Sequence, residues 1–400
     1  MKWIKQEESF RIPVKSWCEE VEPGAMAQAA NLAAHPALVR HVALMPDCHQ
    51  GYGMPIGGVV AAKDAIIPSA VGVDIGCGMV AVETSVPAER LASMEFRRAI
   101  QEKLKTRIPV GEGVSHPVAQ EWEGFESYLD HNGQVSDFAN TLDRKNLGTL
   151  GGGNHFIEIQ KSDAGFVWLM IHSGSRNLGK RIEEFYHRRA RKLNERYRVK
   201  LPDPDLAFLP IEEAEGHGYF RDMLFALRYA AENRRRMMAV MKETFAEFVP
   251  ECPFLREVNI HHNYAAFEEH FGETLCIHRK GATSAKLDEI GIIPGSMGSA
   301  SYIVRGLGNP DSFHSCSHGA GRRMSRIAAS TRLTVEECDQ AMEGIVCERW
   351  HAVRKFGKHR NLLDLSEAPQ AYKPIDEVID AERDLIEPLV RLTPLAVLKG

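Results

Sequence analysis

The sequence predicts an α+β fold, and three observations carry that expectation. Apolar runs of strand length, such as residues 41–45 (HVALM) and 166–171 (FVWLMI), are mixed with long stretches of helical periodicity. Strands and helices do not alternate in the regular order of a parallel α/β sheet. With 44% hydrophobic and 26% charged residues, the composition is ordinary for a globular chain, and 400 residues can bury a core without disulfide staples. At roughly 150 residues per domain the length would allow two or three units, yet no linker or composition break divides the chain. The expectation is one large domain over 1–400, of mixed sheets with surrounding helices, containing a basic helical segment at about 178–248.

In chain order, residues 41–45 and 71–75 read as strands, being short apolar runs punctuated by Gly and Pro. Residues 97–105 read as a short helix, and the polar, Gly-dotted stretch 111–133 as a loop. The run 166–171 is the clearest buried strand and leads straight into His172. In 179–200, Ile182, Tyr186, Ala190, Leu193 and Tyr197 recur at steps of three and four, which predicts a helix. A second long helix is expected at 221–248, then turns and short strands through 305, then a short helix at 322–329. Residues 334–349 and 375–392 read as closing helices, the first opened by a Thr334–Glu337 capping box.

A net charge of −5 excludes a uniformly basic nucleic-acid coat but not a local basic groove. No apolar run approaches the roughly 20 residues of a membrane span, and the opening MKWIKQEESFRIPVKSW lacks the apolar stretch of a signal peptide. A cytoplasmic protein is expected. The eight cysteines form no C-x-x-C pair and read as reduced thiols.

Chemistry concentrates in a few short segments. In 71–79 (VGVDIGCGM), Asp74 and Cys77 stand three apart between glycines and could converge on one ion; a thiolate with a carboxylate suits Zn or Mn better than Ca. A glycine-rich turn that happens to hold a cysteine is the competing reading. His155 follows a triple glycine, and His172 ends the buried strand; each could equally be a hydrogen-bonded structural histidine. His261 and His262 would point to opposite faces of a strand, so one of them joins a given site, with His262 preferred. Asp74, Cys77, His155, His172 and His262 exceed what one tetrahedral ion needs. A thiolate shared between two ions would use them all, and paired ions recur in phosphoryl chemistry.

Residues 294–301 (PGSMGSAS) form a small-residue loop able to offer N–H groups and hydroxyls to anions. His318 lies in a turn ahead of the helix expected at 322–329, where a phosphate would be welcome and an imidazole could act as nucleophile. Nine Lys/Arg against three Glu between Lys180 and Lys200, and the Arg234–Arg235–Arg236 triplet, read as solvated helix faces or as a path for an RNA backbone.

Taken together, MPDCHQGYGMPIGG (45–58), VGVDIGCGM (71–79), LGTLGGGNHFIEI (147–159), IHSGSRNLG (171–179), HHNY (261–264), RKGA (279–282), GIIPGSMGSASYIVRG (291–306), SHGAGRRMSR (317–326), AYK (371–373) and LKG (398–400) resemble the RtcB family of RNA-splicing ligases. The resemblance spans almost the whole chain. It implies an enzyme that joins RNA 3′-phosphate or 2′,3′-cyclic phosphate ends to 5′-hydroxyl ends, using GTP and two Mn²⁺ through a guanylylated histidine. It implies Asp74, Cys77, His155, His172 and His262 as the metal ligands, Cys77 bridging, and His318 as the residue that takes GMP. Nucleotide contacts are implied at Asn154, His155, Phe156, Ile157, Glu158, His262, Asn263, Pro294, Gly295, Ser296, Met297, Ser301, His318, Gly319, Ala320, Gly321, Tyr372 and Lys399. Asp47 is expected to support the site, and Arg176 and Arg326 to meet RNA phosphates. Two alternatives stand beside this: a di-metal phosphoesterase that opens cyclic phosphates, and a non-catalytic RNA-binding protein.

Overall fold

Two large sheets meet at one edge in the computed structural model, which describes residues 1–130, 138–348, 350 and 362–400. The first sheet has six strands in the order Trp3–Lys5, Val14–Ser16, Leu38–His49, Ile56–Ala62, Glu273–Lys280 and Asn263–His270. The second runs Phe254–His261, Gly78–Pro87, Phe166–Ser173, Phe156–Ser162, Ile386–Lys399, Ser301–Gly306 and Ile290–Ile293, with Val346–Cys347 paired to Ile386–Lys399. Ten α-helices accompany them among the described residues. Mixed, mostly antiparallel sheets with helices packed on them make the fold α+β, as the patterning predicts. None of the helices is long and apolar enough to cross a membrane.

Pairing in the second sheet sets up the functional edge. Lys399 pairs with Phe156, Phe156 with His172, His172 with Met79, and Met79 with Ile260. One row across five strands therefore brings the C-terminal strand, the segment after the triple glycine and the segment after Cys77 to the same end. His262 is the single residue between Phe254–His261 of one sheet and Asn263–His270 of the other, so the sheets join at a histidine.

The basic helix spans Leu178–Arg196. It buries Leu178, Ile182, Tyr186 and Ala190 and leaves Arg188, Arg189, Arg191 and Lys192 exposed. The long helix Ala214–Phe248 starts seven residues before the expected 221, because Gly216 and Gly218 are not breakers. A Cβ at Gly216 would lie 2.0 Å from the Pro210 oxygen, and one at Gly218 would lie 2.8 Å from the Tyr186 hydroxyl. Here glycine is demanded by close packing.

Four expectations are corrected. Residues 71–75 are not a strand: Pro68–Val71 is a short helix, and Gly72 (φ +91°) and Gly76 (φ +76°) turn the chain through the left-handed region. Residues 375–392 are not one helix. Helix Ile375–Ala381 gives way to the strand Ile386–Lys399, and Pro388 and Pro394 sit where the pairing register shifts, as prolines in sheets do. The helix expected from 334 to 349 ends early: the Thr334 capping box forms, but the helix is Val335–Ala341, and Val346–Cys347 is a strand; Arg349 lies outside the described residues. The stretch 111–133 contains helix Glu123–Asp130, and residues 131–133 lie outside the described residues.

Candidate functional site

The turn before strand Gly78–Pro87, the end of Phe166–Ser173, the start of Phe156–Ser162 and the junction at His262 converge. Cys77 Sγ lies 3.4 Å from His155 Nε2 and 3.3 Å from His172 Nε2. His172 Nε2 is 3.0 Å from His262 Nε2, and His155 Nε2 is 3.2 Å from Asp74 Oδ2. Two donor groups capable of holding a metal ion result, Asp74–Cys77–His155 and Cys77–His172–His262, and Cys77 belongs to both.

Ring tautomers aim these donors inward. His155 Nδ1 donates to the Leu150 oxygen at 3.1 Å and His172 Nδ1 to the Asn154 oxygen at 3.2 Å. A carbonyl only accepts, so His172 carries its proton on Nδ1 and turns its Nε2 lone pair to the cluster, while His155 Nε2 meets the Asp74 carboxylate. Burial pushes His172 and His262 well below the ordinary histidine pKa, with the neighbouring imidazoles adding to it, so both are neutral. Burial, reinforced by the Asp74 carboxylate, raises the Cys77 thiol. Burial works against ionised Asp74 too, yet His155, Cys77 and Arg176 hold its carboxyl below the usual range. Inward lone pairs around a buried sulfur and a carboxylate want cations between them, and the imidazole–thiolate–carboxylate mixture suits borderline divalent ions.

His318 follows strand Ser315–Ser317. Its Nδ1 is 2.6 Å from Asp47 Oδ2, which also accepts from the His318 main-chain N–H at 3.1 Å. Asp47 is 0% exposed. The carboxylate therefore holds the proton on Nδ1 and leaves the lone pair on Nε2. The His318 ring centroid lies 4.7 Å from that of His262, at the border of the donor cluster. The expected helix start beside His318 is absent: helix Arg326–Arg332 begins eight residues on. Asp47 orients this imidazole, and no helix terminus contributes.

Gly321 explains why the SHGAG turn and the Asp47 strand can touch. Its φ is +71°, and a Cβ there would lie 2.1 Å from the Asp47 main-chain oxygen. Gly321→Ala is expected to force the His318 turn off Asp47 while the sheets persist. Misplacement on the order of 1 Å costs about 10²-fold in rate, so turnover should fall by that order with little change in the thermal transition. Wild-type turnover by the Ala variant would show that this contact has no bearing on the site.

Beside the cluster opens a cleft of about 610 Å³. Of the expected nucleotide residues, Asn154, Phe156, Pro294, Gly295, Ser296, Met297, His318, Gly319, Ala320, Gly321, Tyr372 and Lys399 line it. The Lys399 ammonium lies 5.7 Å from the Phe156 ring centroid. Ile157 faces the opposite side of its strand, in the core with Val80 and Leu398. Glu158 is buried next to Gln160, and burial lifts its carboxyl to about 8 against the pull of Lys399. Asn263 ties two loops together, donating to the Asp74 oxygen and accepting from Gly281 N–H. The small-residue loop is closed on itself: Gly295 N–H donates to Ser301 and Ser296 N–H to Ser299, so those two N–H groups are occupied. Arg176 rests against Gly151 and donates to Thr149 Oγ1.

A sequence model of the family described as tRNA-splicing ligase RtcB matches residues 28–400. The chain belongs to the RtcB family. A protein named RNA-splicing ligase RtcB from Escherichia coli K12 is 40% identical over 418 residues, covering 97% of each chain. A tRNA-splicing ligase RtcB from Methanococcus maripaludis is 31% identical, covering 99% of this chain and 97% of its own. An RNA-splicing ligase RtcB from Mycobacterium tuberculosis is 33% identical, covering 93% of this chain and 100% of its own.

Two residues of this RtcB-family chain escape the motif reading. Glu367 accepts from Tyr372 (2.6 Å), Lys399 (3.0 Å), Arg326 (2.5 Å) and Arg322 (3.4 Å). Burial opposes its charge, but Lys399, Arg326, Tyr372 and Arg322 bring it down to about 2. Nothing in the APQAYK neighbourhood marks it. Arg234, part of the triplet read as a solvated face or RNA path, is 0% exposed. It donates to the Gly76 and Ser173 oxygens at 2.8 and 2.9 Å, bracing both loops of the donor cluster. Arg235 and Arg236 are paired with Glu232, and the buried Arg234 is no part of an exposed basic face.

Proposed function

We propose that the chain is a GTP-dependent RNA ligase that joins 3′-phosphate or 2′,3′-cyclic phosphate ends to 5′-hydroxyl ends. One observation carries the reading: His318, its Nδ1 held by buried Asp47, presents Nε2 at a cleft bordering the donor cluster. A phosphoesterase would need the cluster but not an oriented nucleophilic imidazole. Asp74, Cys77, His155, His172 and His262 would hold two Mn²⁺, with Cys77 shared. When bound, the ions supply Lewis-acid stabilisation of charge on the phosphoryl oxygens.

The protein's own residues do the rest. His318 Nε2 attacks the α-phosphorus of GTP; a P–N bond forms and the bond to pyrophosphate breaks. Asp47 stabilises the positive imidazole that results. Lys399, Arg322 and Arg326, held by Glu367, supply positive charge along the cleft. An oxygen of the RNA 3′-phosphate then takes the guanylate from His318, and the 5′-hydroxyl displaces GMP. Incubating the protein with RNA bearing both ends, GTP and Mn²⁺, and sequencing across the junction, tests this. A junction that retains the 3′-phosphate as the linking phosphate and requires GTP is expected; end hydrolysis without joining would sink the ligase reading in favour of a phosphoesterase.

The exposed face of helix Leu178–Arg196 is assigned to the RNA backbone. Arg188, Arg189 and Lys192 are exposed, and Arg189 meets Glu215 at 3.7 Å and the Phe185 ring. Neutralising Arg188, Arg189 and Lys192 together is expected to weaken RNA binding and to flatten its dependence on log salt by about 2 to 3. Labelling by GTP, which needs no RNA, should persist. Wild-type affinity and salt slope would leave this face merely solvated.

A further inference from the structure

Strand Leu38–His49 delivers two groups to the cleft. Asp47 orients His318, and two residues on His49 lines the same cleft with Glu22, Gln50, Gly51 and Ile56, none of which belongs to the nucleotide set. His49 Nδ1 lies 3.0 Å from the main-chain oxygen of Asp47. That oxygen can only accept, so Nδ1 carries the ring proton and Nε2 the lone pair. Nε2 has no hydrogen-bond partner among the described residues. Burial keeps the ring below the ordinary histidine pKa; Asp47 opposes this, while His318 and Lys373 add to it. The other charged groups around it are Glu22, which accepts from Gln50 N–H, and Lys373, which donates to the Pro46 and Cys48 oxygens. A neutral imidazole held this way is a proton acceptor.

The three displacements of the ligase reading, on which this inference rests, differ in their nucleophiles. His318 Nε2 has no proton to shed, because its proton sits on Nδ1 against Asp47. The RNA 3′-phosphate attacks as an oxyanion. Of these three only the sealing step uses a nucleophile that carries a proton, the 5′-hydroxyl; a cyclic end is first opened by water, a separate hydrolysis in which one ring P–O bond breaks to leave the 3′-phosphate. Glu367 is already committed to Lys399, Tyr372, Arg322 and Arg326. We propose that His49 is the general base of the sealing step, its Nε2 taking the proton of the 5′-hydroxyl as that oxygen attacks the guanylylated 3′-phosphate. The new bond joins the 5′ oxygen to the 3′ phosphorus. The bond from that phosphorus to the guanylate oxygen breaks, GMP leaves with the bonding pair, and the proton passes from His49 to solvent.

The test isolates that step by supplying RNA that already carries a 3′-guanylate, together with 5′-hydroxyl RNA and Mn²⁺ but no GTP. His49→Gln should seal this RNA about 10²- to 10⁴-fold more slowly than wild type, the range of a general base. His318 in that variant should still take up label from α-labelled GTP, which reports an intact Asp47–His318 pair. Added imidazole should restore part of the sealing by His49→Ala, which a purely structural role would not allow. Sealing by His49→Gln at the wild-type rate overturns the assignment. So does a parallel loss of guanylylation, or a loss of sealing on this substrate in His318→Asn but not in His49→Gln. If wild-type protein does not seal the activated RNA, the ligase reading itself fails, and the role of His49 with it.

Discussion

His318→Asn is expected to take up no label from α-labelled GTP and to lose ligation by about 10⁴-fold or more, the scale of removing a nucleophile. The Asn side chain is polar and of similar reach, so it should keep the turn against Asp47 and the cleft should still bind GTP. What it lacks is the imidazole nitrogen lone pair that Asp47 holds at the cleft. Asp47→Ala should leave an imidazole free to rotate and to change tautomer, and labelling should fall by about 10²- to 10⁴-fold, as when a catalytic histidine loses its orienting carboxylate. Lys399→Ala should slow labelling through weaker nucleotide binding yet leave the label on His318. The adduct should be labile in acid and stable in alkali, as a phosphorus–nitrogen bond is, and mass spectrometry should find it on the peptide containing Ser317, His318 and Gly319. Lys399 could form a bond of the same lability, but its ammonium is paired with Glu367 at 3.0 Å, which disfavours it as a nucleophile. Wild-type protein that joins RNA while carrying no guanylate at His318 would refute the covalent mechanism even if the ligase reading stood.

How much of this was legible in the sequence depends on the kind of residue. Cys and His in glycine-rich turns announce themselves, because structure alone seldom asks for a thiol and an imidazole beside chain reversals. The segment 71–79 illustrates the limit. Its Val-Gly-Val run has strand propensity, yet two left-handed glycines bend it so that Asp74 and Cys77 face one point. The candidate residues were readable there, and the local structure was not. Residues 375–392 failed for another reason. Ile386–Lys399 is a strand because Ser301–Gly306 and Phe156–Ser162 bind it on both sides, a long-range fact that overrides local periodicity, although Pro388 already spoke against a helix.

Charged residues were the least readable. Arg234 looks like its neighbours Arg235 and Arg236 in a basic triplet, but it falls on the same helical stripe as Ala230, Met237, Met238 and Met241, which is buried. A strict count of the 3.6-residue period would have set it apart. Glu367 had no such signal, since its importance comes from the groups that fold around it. His318 is a candidate because of its turn, but the helix terminus expected beside it is replaced by a carboxylate 271 positions away in the chain. Type and spacing marked the candidate, whereas tertiary contact alone could show which group orients its ring.

Cys77 offers the second large effect, because its sulfur belongs to both donor groups. Cys77→Ala would take a donor from both groups at once, and Cys77→Ser would offer a harder, weaker oxygen donor. Both variants should drop from two bound Mn²⁺ per chain toward none. Losing about 4 kcal/mol of charge stabilisation at phosphorus corresponds to roughly 10³-fold in rate, so ligation should fall at least that far. The fold should survive: the side chain is small, and the surrounding imidazoles keep their Nδ1 bonds to the Leu150 and Asn154 oxygens. Circular dichroism and the thermal transition without metal check that. Treating wild-type protein with a chelator should reproduce the loss of ligation, and added Mn²⁺ should reverse it, whereas excess Mn²⁺ should not rescue Cys77→Ala. A variant at a single-ion ligand such as Asp74→Asn should retain more metal than Cys77→Ala, because only one group loses a donor. Equal metal loss in the two would argue against a shared sulfur, and full ligation by Cys77→Ala would remove the metal assignment altogether.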